Sequence, residues 1–405
     1  MSRQSLLPIR GARIAQFIES DGPGGAERMV AQLAGELHNG GCPVVAFLPA
    51  DGEGWLGREL EPAGVAVEYV RLEHPLSPQL TRELAAALRR HRVDVVHSHE
   101  FTMAFCGAWA ARRAGLPHLI TMHGGRYYAQ RFRRRVALRA AIACSRHLVA
   151  VSDPLAAALS RDLWLRRARI TTIANGVRFT PAARSSLRGE LALSDADRLV
   201  VAVGNLYAVK GHTYLLAALA QLNSTYPQLH VALAGRGELA AALEAQARDL
   251  GLAGRVHFLG LRQDVANVLA AADVFVLPSL SEGLPLALLE AMFASRPIVA
   301  SAVGDVPVAL ASGAAGLLVP PGDSTALARA IDRLLAQPFE AQQLGSSAQT
   351  RAAAEYGIER MVQRYAGLYQ QVLGNGRASE SRSPAPTGAA GPRGRPRSPR
   401  NEWGA

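Results

Sequence analysis

Residues 199–222, LVVAVGNLYAVKGHTYLLAALAQL, decide the fold. The apolar, β-branched run Leu199–Val203 stops at Gly204-Asn205, and beyond Gly211 an alanine- and leucine-rich segment takes over. This is a strand passing through a glycine turn into a helix, the first half of a βαβ unit. Similar runs precede it at Arg13–Ile18, Val44–Leu48, Val93–His97, His118–Met122, Leu148–Val151 and Arg169–Ala174. Others follow at His230–Ala234, Val256–Leu259, Val274–Leu277, Pro297–Ser301 and Gly316–Val319, alternating with helical stretches. Two parallel sheets are expected. Strands that are apolar nearly throughout carry helices on both faces, the doubly wound α/β arrangement, which binds ligands outside the carboxyl ends of its strands.

Between the two series, Asn175–Asp197 holds an Asn-Gly turn, Pro181 and a mixed polar stretch without a sustained period, which suits an interdomain connection. The boundary is set near residue 182, giving domains over 1–182 and 183–357. In Ile358–Leu373 the apolar positions 358, 361, 362, 365, 368, 369 and 372 fall at helical spacing, so this helix should dock an apolar stripe. Residues 374–405 are mostly Gly, Pro, Ser and Arg and are expected to be disordered.

With 49% hydrophobic and 19% charged residues, the 405-residue chain is not disordered as a whole. No run approaches the ~18 apolar residues of a membrane span, and the first residues lack a secretory pattern, so cytoplasm is the expected compartment. Cys42, Cys106 and Cys144 are far apart and odd in number, which points to reduced, buried thiols. The net charge of +11 is uneven: residues 1–180 hold 24 basic and 15 acidic side chains, residues 181–373 hold 14 and 16. All but one of the 44 basic residues are arginine. The exception is Lys210.

Three segments carry chemistry. After the first strand, Asp21-Gly-Pro-Gly-Gly25-Ala-Glu-Arg28 leads into a helix; adjacent glycines there let backbone N–H groups approach an anion, although a plain tight turn looks the same. In the opening stretch, Lys210 stands at the mouth of a strand just before a helix, where it can reach a diphosphate; a solvated lysine is the alternative. The third segment is Pro278-Ser-Leu-Ser-Glu282-Gly283-Leu284-Pro285-Leu-Ala-Leu-Leu-Glu290. Glu282 belongs to a loop after strand Val274–Leu277, Pro285 suits a first helical turn, and Glu290 lies along the helix. Eight residues span about 12 Å in a helix, so the carboxylates can serve two ends of one extended ligand.

Together GPGGAER, TMHGG at Thr121–Gly125, VSDPL at Val151–Leu155, ANGV at Ala174–Val177, VGNLYAVKGH, LAGRGEL, FLGLRQDV and SEGLPLALLEAM occur in the order found in family 4 retaining glycosyltransferases. Residues 10–373 resemble that family, and the resemblance implies its GT-B fold: two Rossmann-like domains facing a central cleft, with the C-terminal helix crossing back to the first. It also implies a nucleotide-sugar donor, UDP- or GDP-linked, held mainly by the second domain, and a glycan or lipid-linked acceptor on the first. Transfer would retain anomeric configuration without a metal or further cofactor. By the same carry-over Glu282 lies beside the donor sugar and Glu290 takes the ribose hydroxyls. Lys210 neutralises the diphosphate, Gly24 and Gly25 offer it amides, His123 lies near the sugar, and Gly283 and Leu284 complete the donor site.

Two positions depart from the pattern. Asn205 stands where relatives usually carry arginine, and Arg236 is a candidate replacement. Gly304-Asp-Val-Pro-Val308 replaces a GGIPE sequence, so no role carries over to Val308.

His97 and His99 share a strand face, and with Glu100 and His123 they invite a metal reading, but sequence fixes no third ligand; a cleft-lining role for His99 is preferred. The stretch Arg126–Arg146 holds seven arginines, no acid, and Tyr127, Tyr128 and Phe132, which suits an anionic membrane surface at the inner face of a membrane or simply a solvated arginine face. A nicotinamide-dependent oxidoreductase would share the paired domains, yet GPGGAE does not spell GxGxxG. A pI near 10.3 prompts a nucleic-acid-binding reading, but no fold of that kind is evident and no nucleic acid is expected as partner.

Overall fold

In the computed structural model, which describes residues 7–72, 77–124 and 127–380, thirteen strands form two wholly parallel sheets. The first contains β1 (Ile14–Phe17), β2 (Val44–Pro49), β3 (Ala66–Val70), β4 (Val95–His99), β5 (His118–Met122), β6 (His147–Ala150) and β7 (Ile170–Thr172), in the order β3-β2-β1-β4-β5-β6-β7. The second contains β8 (Arg198–Val203), β9 (Leu229–Ala234), β10 (Val256–Gly260), β11 (Val274–Leu277), β12 (Ile298–Ser301) and β13 (Leu317–Val319), in the order β10-β9-β8-β11-β12-β13. Central strands such as β1, β5, β11 and β12 are buried at every residue, as expected for sheets covered on both faces. The order reverses beside β1 and beside β8. Those two switch points are where doubly wound sheets open crevices for ligands.

Sequence reading missed β3. Its sequence AVEYV alternates with a polar residue and lies at the sheet edge, with only Val70 buried, so it lacks the apolar continuity that marks the other strands. Strand β4 runs further than the expected end at His97: its pairing with β5 continues to His99, so both histidines are inside the strand. Both are fully buried, which is tolerable only because their ring nitrogens are hydrogen-bonded.

The chain leaves the first core at Ile173 and joins the second at Val177. Val177 receives the returning chain: its N–H donates to the Tyr356 carbonyl at 2.9 Å, and the Ile358 N–H donates to its own carbonyl at 3.2 Å. From there the helix Ile358–Glu380 lays Ile358, Met361, Val362, Tyr365, Leu368, Tyr369 and Val372 against Ile14, Met29 and Leu33 of the first core. A fully buried side chain of this kind contributes about 1.5–3 kcal/mol, so the last helix ties both halves together. It runs to Glu380, beyond the expected end at Leu373, because residues 374–380 include no proline to stop it. The rest of the expected disordered tail, 381–405, lies outside the described residues.

No described helix is long and apolar enough to cross a membrane. The three cysteines are free thiols; Cys42 and Cys106 are buried and Cys144 is half-buried.

Candidate functional site

Loops from the carboxyl ends of both sheets enclose one cavity between the halves. Its lining includes Gly24, Gly25 and Arg28 after β1, His123 after β5, Asn205 and Lys210 after β8, and Glu282, Gly283, Leu284 and Glu290 after β11. The structure thus gathers every expected donor-site residue but leaves out His99, expected to line the cleft and instead fully buried behind it, and Arg236. That guanidinium is ion-paired with Glu53 of the first half and does not line the cavity. Residues close in sequence to a glycine turn need not face the turn's ligand.

Packing of adjacent loops places Lys210 and Glu282 together. Lys210 ends a short turn, Ala208–Lys210, followed by Gly211 at φ +67°, a left-handed conformation that favours glycine. A Cβ at Gly211 would lie 2.1 Å from the Pro278 carbonyl oxygen, so only glycine lets the β8 loop approach the β11 loop. The Leu280 N–H then donates to the Val209 carbonyl at 2.8 Å. Lys210 Nζ consequently donates to Glu282 Oε1 at 2.7 Å, and Ser279 Oγ donates to the same oxygen at 2.7 Å. Charge-assisted bonds of this length hold both side chains in fixed positions. Pro285 serves as N-cap, one residue outside the helix Leu286–Phe293 rather than in its first turn, and Glu290 follows one turn in.

Burial pushes the Glu290 carboxyl up to about 7, with Arg28 opposing the rise from 3.9 Å. Glu290 therefore ionises near neutrality and is poised to accept hydrogen bonds from ligand hydroxyls.

Behind the cavity, a buried hydrogen-bonded chain runs from His123 to the C-terminal helix. Distances are 2.9 Å from His123 Nε2 to His99 Nδ1, 2.7 Å from His99 Nε2 to Gln16 Oε1, and 3.1 Å from Gln16 Nε2 to Tyr369 Oη. Tyr369 Oη lies 2.6 Å from His97 Nδ1, and His97 Nε2 lies 2.8 Å from Thr121 Oγ1. Burial holds all three histidines below their ordinary pKa, His123 at about 4, so each is neutral and carries one proton. With Gln16 accepting from His99 and donating to Tyr369, one direction of donation satisfies the chain: His123 Nε2–H to His99, His99 to Gln16, Gln16 to Tyr369, Tyr369 to His97, and His97 to Thr121. These histidines are an internal polar network. Sequence reading could not pair them with Tyr369, 272 residues from His97.

This arrangement leaves His123 Nδ1 as an acceptor, and among the described residues nothing bonds to it. A second buried acceptor without a partner is Oδ1 of Asn175, whose Nδ2 donates to the Leu284 carbonyl at 2.9 Å. Each orphaned acceptor costs about 1–3 kcal/mol, and both belong to residues lining the cavity. A ligand rich in hydroxyl groups would satisfy them. Sequence places Asn175 only in an Asn-Gly turn and Glu100 only in the metal reading, and it gives Arg28 and Arg262 no role.

Glu100 opens the helix Glu100–Ala114 with φ +62°, strained for a residue with a side chain, and its carboxyl accepts the His123 N–H at 2.8 Å. Burial raises its pKa to about 8. A folded pKa above the unfolded value means that the neutral acid's contribution is present at low pH and is lost as pH rises from about 4.5 through about 8. Glu100→Gln, which keeps the acceptor and cannot ionise, should therefore flatten the decline in stability between pH 6 and pH 8 by about 1–3 kcal/mol, read by urea denaturation. Equal slopes for both proteins would refute a buried neutral carboxyl.

Residues 23–180 match the Glycosyltransferase Family 4 family, and residues 197–337 match glycosyl transferases group 1. The chain is 32% identical over 229 residues to UDP-Gal:alpha-D-GlcNAc-diphosphoundecaprenol alpha-1,3-galactosyltransferase of Escherichia coli, a match covering 53% of this chain and 59% of that enzyme. It is 29% identical over 419 residues to D-inositol 3-phosphate glycosyltransferase of Mycobacterium marinum, covering 94% and 89% of the two. Among solved structures, Anabaena Alr3699/HepE in complex with UDP-glucose superposes with a TM-score of 0.78 at 25% identity, over 89% of this chain and 99% of that one. Sucrose-phosphate synthase from Thermosynechococcus elongatus gives 0.75, also at 25% identity, over 90% and 100%. The oxidoreductase and nucleic-acid readings gain nothing from these matches. With two switch-point crevices facing one cavity and both halves matched, the chain belongs to the family 4, group 1 glycosyltransferases of the GT-B fold.

Proposed function

We propose that this glycosyltransferase transfers a sugar from a UDP- or GDP-linked donor to a glycan or lipid-linked acceptor, with retention at the anomeric carbon and without a catalytic metal. The observation that carries the reading is the convergence of Lys210, Glu282, Glu290 and His123 on one cavity, with the Lys210–Glu282 contact at 2.7 Å. Departure of a nucleoside diphosphate builds negative charge on the phosphates. A fixed ammonium and the amides around Gly24 and Gly25 stabilise that charge without rearranging, which makes the phosphate a better leaving group. Lys210 keeps two N–H donors beyond its bond to Glu282, so it can hold the diphosphate while Glu282 fixes its position. Glu290 takes the ribose hydroxyls, and His123 Nδ1 and Asn175 Oδ1 take hydroxyls of the sugar. The UDP complexes of Anabaena Alr3699/HepE support this donor class.

Titration calorimetry with UDP and GDP tests the reading, and Glu290→Ala sharpens it. The variant should raise the donor KM about 10-fold with kcat changed less than 3-fold, because two hydrogen bonds to a carboxylate act mainly in binding. Unchanged kinetics in that variant would remove Glu290 from the donor site.

For the acceptor, the helix Phe132–Ala143 offers a surface suited to anionic lipid. Phe132 and Trp164 are 66% and 57% exposed, with ring centroids 6.2 Å apart, amid Arg131, Arg133, Arg166 and Arg167. Arg139 donates to the Trp164 carbonyl at 2.9 Å and so pins the loop that presents the indole. Tyr128, expected on this face, is instead fully buried in the core, and Gly125 and Arg126 lie outside the described residues. Exposed aromatics within an arginine field suit the headgroup region of a membrane, at its cytoplasmic face. Flotation should recover the protein with anionic vesicles and not with neutral ones, and Phe132→Ser/Trp164→Ser should abolish recovery; equal recovery from both vesicles would reject the surface.

A further inference from the structure

Among the described residues three cations line the cavity, and their commitments differ. Arg262 uses three donors internally: Nε and Nη2 bond Asp264 at 2.8 and 2.7 Å, and Nη1 bonds Glu190 at 2.9 Å. Its charge is more than matched. Lys210 is bonded to Glu282. Arg236, the replacement suggested by sequence for the arginine missing at Asn205, is held by Glu53 outside the cavity. Asn205 itself lines the cavity and carries no charge.

Arg28 differs from all of these. Among the described residues its guanidinium makes no hydrogen bond; it lies 5.9 Å from the Trp55 ring centroid and 3.9 Å from Glu290, within ion-pair range but too far for a hydrogen bond. Its side chain remains 25% exposed within the cavity lining. It stands one turn into the helix Gly25–Asn39, with its N–H bonded to the Gly24 carbonyl at 3.1 Å, so its stem rises from the glycine turn that opens the helix, where the Gly24 N–H itself donates to the Gly22 carbonyl at 2.9 Å.

We propose that Arg28, contributed by the first half of the molecule, is the second cation for the donor's diphosphate, in the role that Asn205 cannot fill. The inference rests on the donor reading above and adds a residue to it. Before the donor arrives, Arg28 offsets the charge of Glu290. When ribose hydroxyls take over Glu290, the guanidinium, with five donors unspent, turns to the diphosphate and binds it as a fork. Because Arg28 and Lys210 come from opposite halves, a diphosphate between them draws the cleft together. A nucleoside without phosphates makes no such bridge.

The discriminating experiment compares UDP and uridine binding, by calorimetry and by ligand-observed NMR, for the wild type, Arg28→Gln and Arg28→Lys, each checked for an unchanged Tm. A lost charge-assisted contact corresponds to about 10- to 100-fold weaker UDP binding for Arg28→Gln. Uridine affinity should stay within 2-fold or improve, since Glu290 loses a competitor. Arg28→Lys should fall between, keeping charge without the fork. UDP binding by Arg28→Gln within 3-fold of wild type would overturn the inference, as would an equal loss for uridine and UDP. A wild-type protein that bound neither UDP nor GDP would overturn the donor reading, and this inference with it.

Discussion

Lys210→Ala should lower kcat about 10²- to 10³-fold while raising the donor KM less than 10-fold. The reason is differential: removal of a preorganised donor from a developing anion costs that much in turnover, whereas the ground-state diphosphate keeps its backbone amides. The substitution also leaves the Glu282 carboxylate, a side chain only 8% exposed, without its cation. Lys210→Ala combined with Glu282→Gln separates the two effects. If the loss came only from an uncompensated buried carboxylate, the double variant would recover most of the activity. The assigned role predicts that it stays at or below the single variant, because neither protein can neutralise the leaving group. Near-normal kcat in Lys210→Ala would remove the lysine from catalysis.

Gly283→Ala should be nearly as damaging, for a reason unrelated to charge. A Cβ at Gly283 would lie 2.6 Å from the His123 carbonyl oxygen and 3.5 Å from Val151 Cγ2, both in the first half of the molecule. The second half therefore meets the first backbone to backbone at this point. Relief of the clash requires the halves to move apart by several tenths of an ångström to about 1 Å at the site itself. Displacement of that size between reacting groups can cost about 10²-fold in rate. Each half keeps its own core, so Tm should fall by less than 4 °C while kcat/KM falls about 100-fold; a variant with wild-type kcat/KM would show that this close approach is not used in catalysis.

Lys210 and Gly283 are both legible in the sequence. The glycine turns at Gly24-Gly25 and Gly204-Asn205, and the SEGLPLALLE stretch, carry local signals: backbone freedom, a solitary lysine, and carboxylates on a loop and a helix that follow an apolar strand. Buried parallel strands announce themselves by apolar continuity, and β3 escaped notice because an edge strand has no need of it. What was not legible depends on contacts remote in sequence. Tyr369 closes a polar network with His97 and Gln16 that no spacing reveals. The choice among Arg28, Arg236 and Arg262 is set by the carboxylate each one meets, and in a chain whose cations are almost all arginine, composition cannot tell a ligand-facing guanidinium from a surface one. Tyr128 looked like part of an aromatic, basic face and is core; Trp164, further along the chain, takes its place beside Phe132.

The cavity between the two sheets should hold a nucleoside diphosphate with its phosphates at Lys210. Crystals of the protein grown with UDP or GDP, whichever binds, test it most directly. Such crystals should show a phosphate oxygen within about 3 Å of Lys210 Nζ and ribose hydroxyls on the Glu290 carboxylate. A nucleotide bound elsewhere, or seated in this cavity with Lys210 still turned only to Glu282, would contradict it.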